Sequence, residues 1–168
     1  MVNFDFLALL FFALPAYMAN AVPVAVGGKT PLDFGLKFFD GRRIWGKGKT
    51  WRGTSFGVLV GWGAAIGISE LLGFNPLPNY EYLSLLIASG AIFGDLAASF
   101  LKRRAGLEPG QEAPLVDQLD FLLGAILVSW PVYHLQVVEI IALVIITPVI
   151  HRASNILAYK LSLKSVPW

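Results

Sequence analysis

Three aspartates that lie just inside apolar segments are the residues of this sequence best suited to chemistry. Asp95 lies seven residues before Lys102 within one apolar segment, and Asp117 and Asp120 open the next. If both segments are helices, Asp117 and Asp120 share a face, and all three carboxylates lie at a similar depth. An unpaired carboxylate in hydrocarbon costs several kcal/mol. Acids at this depth therefore require partners and indicate a functional site.

The partner of these acids is either a metal ion or a set of basic side chains. Three carboxylates close together repel one another unless one is protonated or a cation lies between them, and hard oxygen ligands suit Mg²⁺. The alternative is that each acid pairs separately with Lys102, Arg103 or Arg104. Simple pairing does not require three acids below the membrane surface, so the pattern favours a Mg²⁺ site formed by the three aspartates.

The overall composition is that of an integral membrane protein. Of the 168 residues, 56% are hydrophobic and 14% are charged, and the mean hydropathy is +0.66. Soluble domains, by comparison, are about 25% charged. This composition excludes disordered, collagenous and DNA-wrapping proteins, so no nucleic acid partner is expected. The absence of cysteine excludes disulfides, thiolate metal sites and cysteine nucleophiles.

Five apolar segments are long enough to cross a hydrocarbon core about 30 Å thick at about 1.5 Å per residue. They cover residues 4–26, 55–73, 82–101, 115–133 and 137–157. We therefore predict an all-α integral membrane protein in which residues 1–168 form one domain of five transmembrane helices. Loops 27–54 and 102–114 join the helices on one side. Pro15 and Pro23 predict a kink or interruption in the first helix.

The basic residues lie on one side of the predicted membrane domain. All 13 lysines and arginines fall in the two loops or towards the C-terminal end of the chain, whereas the connections on the opposite side carry none. Because basic residues are retained on the cytoplasmic side, we predict that the N-terminus lies outside and the C-terminus in the cytoplasm. The active site would then face the cytoplasm from a multi-pass protein of the cell membrane.

The loop sequence DGRRIWGKGKTWRG, residues 40–53, carries more positive charge than topology requires. Five of its fourteen residues are basic, and its glycines allow backbone amides to approach an anion closely. Lys49 and Arg52 adjoin the second helix and are the preferred pair for a phosphate. The alternative is that these cations bind anionic lipid headgroups. The segment is not a P-loop, because Arg43 stands where that motif needs glycine.

Acids for Mg²⁺ beside a glycine-rich cluster of cations suit a nucleoside triphosphate, and their burial in the inner leaflet suits a lipid co-substrate. This combination favours phosphoryl or nucleotidyl transfer onto a lipid. No general base is evident in the sequence. A lipid phosphomonoester, whose second pKa is about 6, is already ionised and needs none.

The segment GDLAASFLKRRAGLEPGQEAPLVDQLDFLLGA, residues 94–125, has the order G-D-x-x-x-S-x-x-K-R followed by P-x-x-D-x-x-D. This order resembles the signature of CTP-dependent phosphatidate cytidylyltransferases. However, Pro114 leads directly to Asp117 without the P-G-H-G-G stretch of the diacyl branch. The short form resembles the archaeal CDP-archaeol synthase family. The likeness extends through ANAVPV near Asn20, PLDFGLKFFDGRRIWGKGKTWRG and the terminal HRASNILAYKLSLKSVPW, and covers essentially the whole chain.

The resemblance implies five transmembrane helices and Mg²⁺-dependent transfer of CMP from CTP to unsaturated archaetidic acid (2,3-di-O-geranylgeranyl-sn-glycerol 1-phosphate), with release of pyrophosphate. By their match to the family's motif, Asp95, Asp117 and Asp120 would hold Mg²⁺, and Lys102 and Arg103 would neutralise the triphosphate. Further candidates for binding CTP or the lipid phosphate are Lys49, Arg52, Lys47, Arg43, Arg42, Ser99, Asn20 and Asn155. The expected partners are CTP, the isoprenoid ether lipid phosphate and membrane lipid, and the oligomeric state stays open.

Two other functions are consistent with the residues alone. A CTP-dependent polyprenol kinase would transfer the γ-phosphate to an alcohol, release CDP and need a base that the sequence does not offer. A small cation transporter would use Asp95 as its ion site. The polar residues gather on the cytoplasmic side and form no continuous path across the membrane, which counts against transport.

Overall fold

The computed structural model describes residues 5–164 and 166, which fold into five α-helices. The helices are α1 (Phe6–Val26), α2 (Trp51–Leu72), α3 (Tyr80–Arg104), α4 (Val116–Ser129) and α5 (Val137–Lys160). Four of them, all except α4, are long and apolar enough to cross a membrane. The predicted all-α class and the membrane character of the protein are confirmed.

Helix α4 is shorter than the predicted span 115–133. It has 14 residues, which correspond to about 21 Å, less than a hydrocarbon thickness of about 30 Å. Leu115 precedes the helix with a backbone φ of 66°. Beyond Ser129, Pro131 lacks the N–H that would continue the helical ladder. By their length, four helices are able to span a membrane. Helix α4 alone is too short to form the fifth predicted span.

Helix α2 begins at Trp51 rather than at residue 55 because of a side-chain cap. The Thr50 hydroxyl oxygen accepts a hydrogen bond from the Gly53 N–H at 3.1 Å. This bond satisfies a backbone donor that the first helical turn leaves unpaired. As a result, Arg52 lies on the first turn of α2 rather than in the preceding loop.

Glycines set the contact between α3 and α4. A Cβ at Gly94 would lie 2.1 Å from the carbonyl oxygen of Asp120, and one at Gly124 would lie 2.3 Å from that of Gly90. Side chains do not approach backbone so closely, so only glycine allows the two helices to meet at these points. Since Gly94 precedes Asp95, this contact brings the carboxylates of Asp95 and Asp120 into electrostatic interaction.

Helices α1 and α2 form a second close contact through small residues. Cβ atoms at Gly57 and Gly61 would lie 2.8 Å and 2.6 Å from the carbonyl oxygens of Ala19 and Pro15. At Gly63, two residues beyond Gly61 and therefore on another face of α2, a Cβ would meet no atom within 4 Å. Glycine is therefore required at two of these positions of α2 and not at the third.

Helix α1 is continuous from Phe6 to Val26, so an interruption at its prolines is excluded and the predicted kink stays a prediction. Pro15 has no N–H to donate to the Phe11 carbonyl, which lies four residues earlier. The Tyr80 hydroxyl of α3 donates to that carbonyl instead, at 2.8 Å. A partner outside the helix thus satisfies the group that the proline leaves free.

The connections between helices differ at the two ends of the bundle. Loops 27–50 and 105–115, together with the C-terminal end of α5, form what we call the basic end. The short connections 73–79 and 130–136 form the opposite end. The candidate site residues of the sequence lie towards the basic end, where α3, α4 and α5 meet the two loops.

Candidate active site

Two lysine–carboxylate ion pairs join separate elements at the basic end. Lys49 Nζ, at the end of loop 27–50, lies 2.5 Å and 2.6 Å from the two carboxylate oxygens of Asp95 in α3. Lys102, on the last turn of α3, pairs with Asp117 at the start of α4. The four side chains are only 16% to 27% exposed. Partial shielding from water makes such pairs stronger than pairs on an open surface.

Asp120 lies next to these two pairs, at the glycine contact of α3 and α4. It interacts electrostatically with Asp95, Lys49 and Asp117. Its carboxylate accepts a hydrogen bond from the Phe121 N–H at 2.6 Å, and no described residue forms an ion pair with it. The three predicted acids therefore lie near one another where α3 contacts α4, without being close enough in this arrangement to share a metal ion. We call Lys49, Asp95, Lys102, Asp117 and Asp120 the acid–lysine cluster.

The donor set of this cluster has the chemistry that Mg²⁺ prefers, because carboxylate oxygens are its usual protein ligands. Asp95 and Asp117 are directed towards lysines in the structure. Among residues 5–164 and 166, no three histidine, cysteine or acidic side chains lie close enough together to hold a metal ion. The aspartates fit Mg²⁺ by type and by their positions on adjoining helices, and the metal site itself stays a prediction.

Arg103, which follows Lys102 on α3, is a buried cation beside the cluster. The residue is 6% exposed and interacts electrostatically with Asp117. Its Nε and Nη1 have no hydrogen-bond partner in the part of the chain that the structure describes. Leaving a buried donor without a partner costs about 1–3 kcal/mol, and more for a charged group. An anion that entered the cluster would satisfy these donors.

Arg42 holds the loop to the end of α3, and its predicted role in binding substrate stays a prediction. Its Nη1 donates to the backbone oxygens of Arg103 and Arg104 at 3.1 Å and 3.0 Å. In return, Arg104 Nη2 donates to the backbone oxygen of Arg43 at 2.8 Å, and Arg104 Nε lies 2.8 Å from a carboxylate oxygen of Asp40. We call this reciprocal arrangement of Arg42 and Arg104 the arginine clasp. It fixes loop 27–50 next to the acid–lysine cluster.

Arg43 is likewise engaged in the structure of the loop, through Asp33. The buried Asp33 carboxylate accepts hydrogen bonds from the Arg43 guanidinium and from the backbone N–H groups of Gly35, Trp45 and Gly46. Burial alone would raise the pKa of this carboxyl. The hydrogen bonds outweigh burial and lower the pKa to about 2. Asp33 therefore organises the loop that carries Lys49.

Arg52 and Lys47 lie apart from the acid–lysine cluster. Arg52 lines a separate cavity of about 530 Å³ whose other lining residues are Gly28, Lys29, Thr30 and Trp51. Lys47 is exposed on a turn of the loop. Lys49 contacts Asp95 of α3, whereas Arg52 lines this cavity, and the role of Lys49 and Arg52 as a phosphate pair stays a prediction.

The three uncharged candidates have different surroundings. Ser99 is buried on α3, one turn beyond Asp95. Asn155 is buried on α5, where its Nδ2 lies 3.2 Å from Nδ1 of His151. Asn20 is half-buried on α1, and no contact among the described residues joins it to the acid–lysine cluster.

The inner end of α5 forms a wall of the site that spacing along the chain did not predict. The His151 ring stacks on Phe121 of α4 with centroids 6.2 Å apart. Arg152 Nη1 donates to the Glu112 carboxylate of loop 105–115 at 3.1 Å. These contacts join α5 to α4 and to loop 105–115 at the basic end.

Reasoning from the sequence missed Asp33 and Lys164 at this end, and it considered Arg104 only as an ion-pair partner of the acids. Asp33 carried a usable signal, because aspartate two residues before glycine is typical of a side-chain-stabilised turn. Arg104 and Lys164 carried no local signal, since the groups around them come from distant parts of the chain. Lys164 interacts electrostatically with members of the acid–lysine cluster.

The whole chain matches a known protein family. The profile of the family described as CarS-like, CDP-archaeol synthase, matches residues 1–168. The chain belongs to this family. A CDP-archaeol synthase of Methanococcus maripaludis (strain C5) is 49% identical over 98% of this chain and 99% of its own length. The CDP-archaeol synthase of Pyrococcus furiosus is 44% identical over 96% of this chain and 98% of its own length.

A solved structure agrees with the CarS-like assignment at the level of the fold. It is described as that of an intramembrane enzyme for archaeal membrane lipids biosynthesis. It aligns with a TM-score of 0.82 and 40% sequence identity, over 90% of this chain and 95% of its own. The resemblance to the CDP-archaeol synthase family, inferred from the motifs, is confirmed, and the CarS-like chain is a membrane enzyme.

Proposed function

We propose that this CarS-like chain uses Mg²⁺ to transfer CMP from CTP to 2,3-di-O-geranylgeranyl-sn-glycerol 1-phosphate, forming a CDP-lipid and pyrophosphate. Membership of the family makes the chain a CTP-dependent cytidylyltransferase of archaeal membrane lipid biosynthesis. The metal, the exact lipid and the roles of single side chains are our proposal. The observation that supports these roles is the acid–lysine cluster, in which three carboxylates and two lysines meet where α3 contacts α4.

The reaction needs positive charge and positioning more than it needs a nucleophile from the protein. An oxygen of the lipid phosphomonoester attacks the α-phosphorus of CTP. A new P–O bond forms, and the bond from the α-phosphorus to the bridging oxygen of the departing pyrophosphate breaks. The attacking phosphate is already ionised near neutral pH because its second pKa is about 6. The protein must therefore hold two anions together and stabilise the charge that leaves.

Asp95, Asp117 and Asp120 would hold Mg²⁺ where α3 contacts α4. When bound, Mg²⁺ neutralises phosphate charge and stabilises the leaving pyrophosphate. The acids are presented by two helices whose separation is set by Gly94 and Gly124. Rigid presentation of this kind is what a catalytic site requires, because misplacement by about 1 Å can cost about 10²-fold in rate.

Lys49, Lys102 and Arg103 would be the chain's own cations for the phosphates. A lysine ammonium has three donors, so Lys49 and Lys102 are able to keep a carboxylate contact while they donate to a phosphate oxygen. Arg103 presents two buried N–H groups that have no partner among the described residues. Hydrogen bonds from guanidinium to phosphate are among the strong ones in proteins.

The proposed orientation places the basic end in the cytoplasm and the N-terminus outside. All 13 lysines and arginines belong to the elements of this end. The chain has no cysteine, so Lys47→Cys introduces a single exposed thiol. We expect a membrane-impermeant maleimide to label it only after the cell membrane has been opened. Labelling in intact cells would overturn the orientation.

The proposed reaction is tested with purified protein in detergent, CTP, Mg²⁺ and the geranylgeranyl ether phosphate. Pyrophosphate release and the mass of the lipid product are followed together. We expect pyrophosphate and a CDP-lipid in equal amounts, with neither product when the lipid phosphate or Mg²⁺ is omitted. Full turnover with a chelator in place of Mg²⁺ would contradict the metal assignment and leave the transfer of CMP intact.

The same measurement separates the alternatives that the residues alone left open. A polyprenol kinase would release CDP and a phosphorylated lipid, and a transporter would give no turnover with any nucleotide. Membership of the CDP-archaeol synthase family favours the cytidylyltransferase over both.

A further inference from the structure

Residues 34–44 of the first long loop form a short antiparallel hairpin, which we call the aromatic hairpin. The Phe38 N–H donates to the Arg42 carbonyl at 2.8 Å, and the Ile44 N–H donates to the Leu36 carbonyl at 3.2 Å. The arginine clasp fixes this hairpin to the end of α3. The aromatic hairpin is therefore an ordered element whose side chains have defined positions.

Apolar side chains of the aromatic hairpin are exposed where a loop in water would carry polar ones. Phe39 at the tip is 98% exposed, and Phe34 and Leu36 are 67% and 62% exposed. Phe34 has a φ of 48°, a left-handed conformation that is unfavourable for a residue with a Cβ. The fold thus keeps a strained backbone at a position that exposes a phenylalanine. A single exposed apolar residue needs no explanation, but several together mark a contact surface.

This apolar surface joins the ends of two membrane helices. The ring of Phe34 lies 6.0 Å from that of Trp51 on the first turn of α2. The ring of Phe38 lies 5.3 Å from that of Phe100, one turn before the C-terminal end of α3. Both helices are long and apolar enough to cross a membrane, and aromatic side chains are enriched where such helices leave the hydrocarbon. The aromatic hairpin therefore lies at the level of the bilayer surface.

The charged groups around the aromatic hairpin fit the headgroups of anionic lipids. Asp40, the acid of the hairpin, is paired with Arg104 of α3. Lys37 is exposed on the hairpin, and the exposed Lys29 and Arg52 line the neighbouring cavity. The charge presented outwards is therefore positive. Lysine next to apolar side chains reaches headgroup phosphates while its stem stays on the apolar surface.

We propose that the aromatic hairpin inserts into the bilayer surface at the basic end, with Phe39, Phe34 and Leu36 among the lipid chains and Lys37 at anionic headgroups. Apolar side chains anchored at an interface reach about 5–10 Å into the boundary between headgroups and acyl chains. Insertion removes the exposed apolar surface from water. Because the arginine clasp ties the hairpin to α3, this contact also fixes the height of the acid–lysine cluster relative to the headgroups. The inference rests on the membrane character of the protein and is independent of the proposed reaction.

The test places one fluorescent label on the aromatic hairpin and measures whether lipid or water surrounds it. Because the chain has no cysteine, Phe39→Cys carries a single thiol for a nitrobenzoxadiazole label. Lys47→Cys is the matched control, since Lys47 is exposed on a turn of the same loop outside the hairpin. Both full-length proteins are reconstituted into vesicles that contain an anionic phospholipid. Nitroxide groups on the acyl chains quench a label within lipid, and iodide in solution quenches a label in water.

We expect the Phe39→Cys label to emit at a shorter wavelength than the Lys47→Cys label and to be quenched several-fold more strongly by nitroxide lipids. Iodide should quench the two labels in the opposite order. Because the insertion is shallow, a nitroxide near the headgroup end of the acyl chain should quench the Phe39→Cys label more than one near the methyl end. Leu36→Cys is a second position on the hairpin and should behave like Phe39→Cys.

Two results would overturn the proposal. Equal quenching of the Phe39→Cys and Lys47→Cys labels by iodide would show that the hairpin lies in water. Shielding from iodide without quenching by nitroxide lipids would assign the apolar surface to a protein partner, and energy transfer between labelled chains would identify that partner as a second copy. Each variant must match the wild type in gel filtration, and Leu36→Cys decides the question if Phe39→Cys does not fold.

Discussion

The two ends of the helical bundle are held by different kinds of polar interaction. At the basic end, the contacts join distant parts of the chain: Lys49 and Asp95 are 46 positions apart, and Arg42 reaches a backbone oxygen 61 positions away. All the ion pairs between described residues lie at this end. At the opposite end, the described contacts are hydrogen bonds without ion pairs: the Tyr80 hydroxyl donates to the Phe11 carbonyl, Trp62 Nε1 donates to the Glu81 carbonyl, and Gln136 and Glu139 form a capping box.

This difference shows how strongly each end depends on the packing of the helices. A capping box satisfies the start of its own helix wherever the other helices lie. The ion pairs of the basic end exist only when α3, α4 and loop 27–50 have reached their final positions. A candidate site made of such ion pairs is therefore sensitive to changes in helix packing, whereas the capping box of α5 tolerates them.

The two ends of the bundle should differ most in how the reaction rate responds to the loss of one carboxylate charge. Asp120→Asn should lower the rate of pyrophosphate release by about 10²–10³-fold, the loss typical of removing one electrostatic contact of a transition state. Glu70 is an exposed residue of α2 at the opposite end of the bundle. Glu70→Gln removes its carboxylate charge and should leave the rate unchanged. Because Asp120 has no lysine partner among the described residues, full activity of Asp120→Asn would refute its place in a metal site.

A smaller difference is expected from adding one methyl group to a glycine. Gly94→Ala places a Cβ 2.1 Å from the Asp120 carbonyl oxygen, so α3 and α4 must separate. We expect a loss of about 1–3 kcal/mol of stability, together with lower activity. Gly63→Ala has open space around the new Cβ and should keep or slightly raise stability, since alanine favours helix. Thermal unfolding in detergent measures both, and equal midpoints would refute the role of the glycine contact.

The smallest effect is expected at Asp33, which orders the loop rather than the helices. Its pKa is about 2, below the ordinary value of 3.8, so the ionised carboxylate stabilises the ordered loop. That contribution, about 2 kcal/mol, is present above about pH 4 and is lost as the pH falls towards 2. At neutral pH, Asp33→Asn should therefore speed tryptic cleavage at Arg42 and hydrogen exchange in the loop.

Glu108→Gln is the matched control, because Glu108 is an exposed carboxylate in the other loop of the basic end. It should leave cleavage at Arg42 unchanged. If both Asp33→Asn and Glu108→Gln are cleaved at the rate of the wild type, Asp33 does not organise the loop.

Part of the candidate site follows from helical spacing alone. Asp117 and Asp120 are three residues apart, so their common face depends only on the regular turn of a helix. Asp95 lies nine residues before the end of α3 and interacts with Asp120 where the two helices meet. The roles of the loop arginines do not follow in this way. Arg42 and Arg43 are basic whether they bind a phosphate or hold the loop, and only their contacts with Arg103, Arg104 and Asp33 separate the two roles.

The sequence by itself determined the membrane class, the number of helices and the family, because these depend on composition, on helical spacing and on motifs along the chain. Only the tertiary structure decided that Lys49 pairs with Asp95 and that Arg52 lines a separate cavity. Such pairings depend on how each helix is rotated and how closely it approaches its neighbours. Many packing contacts set these quantities together, among them the approach of α3 to α4 at Gly94.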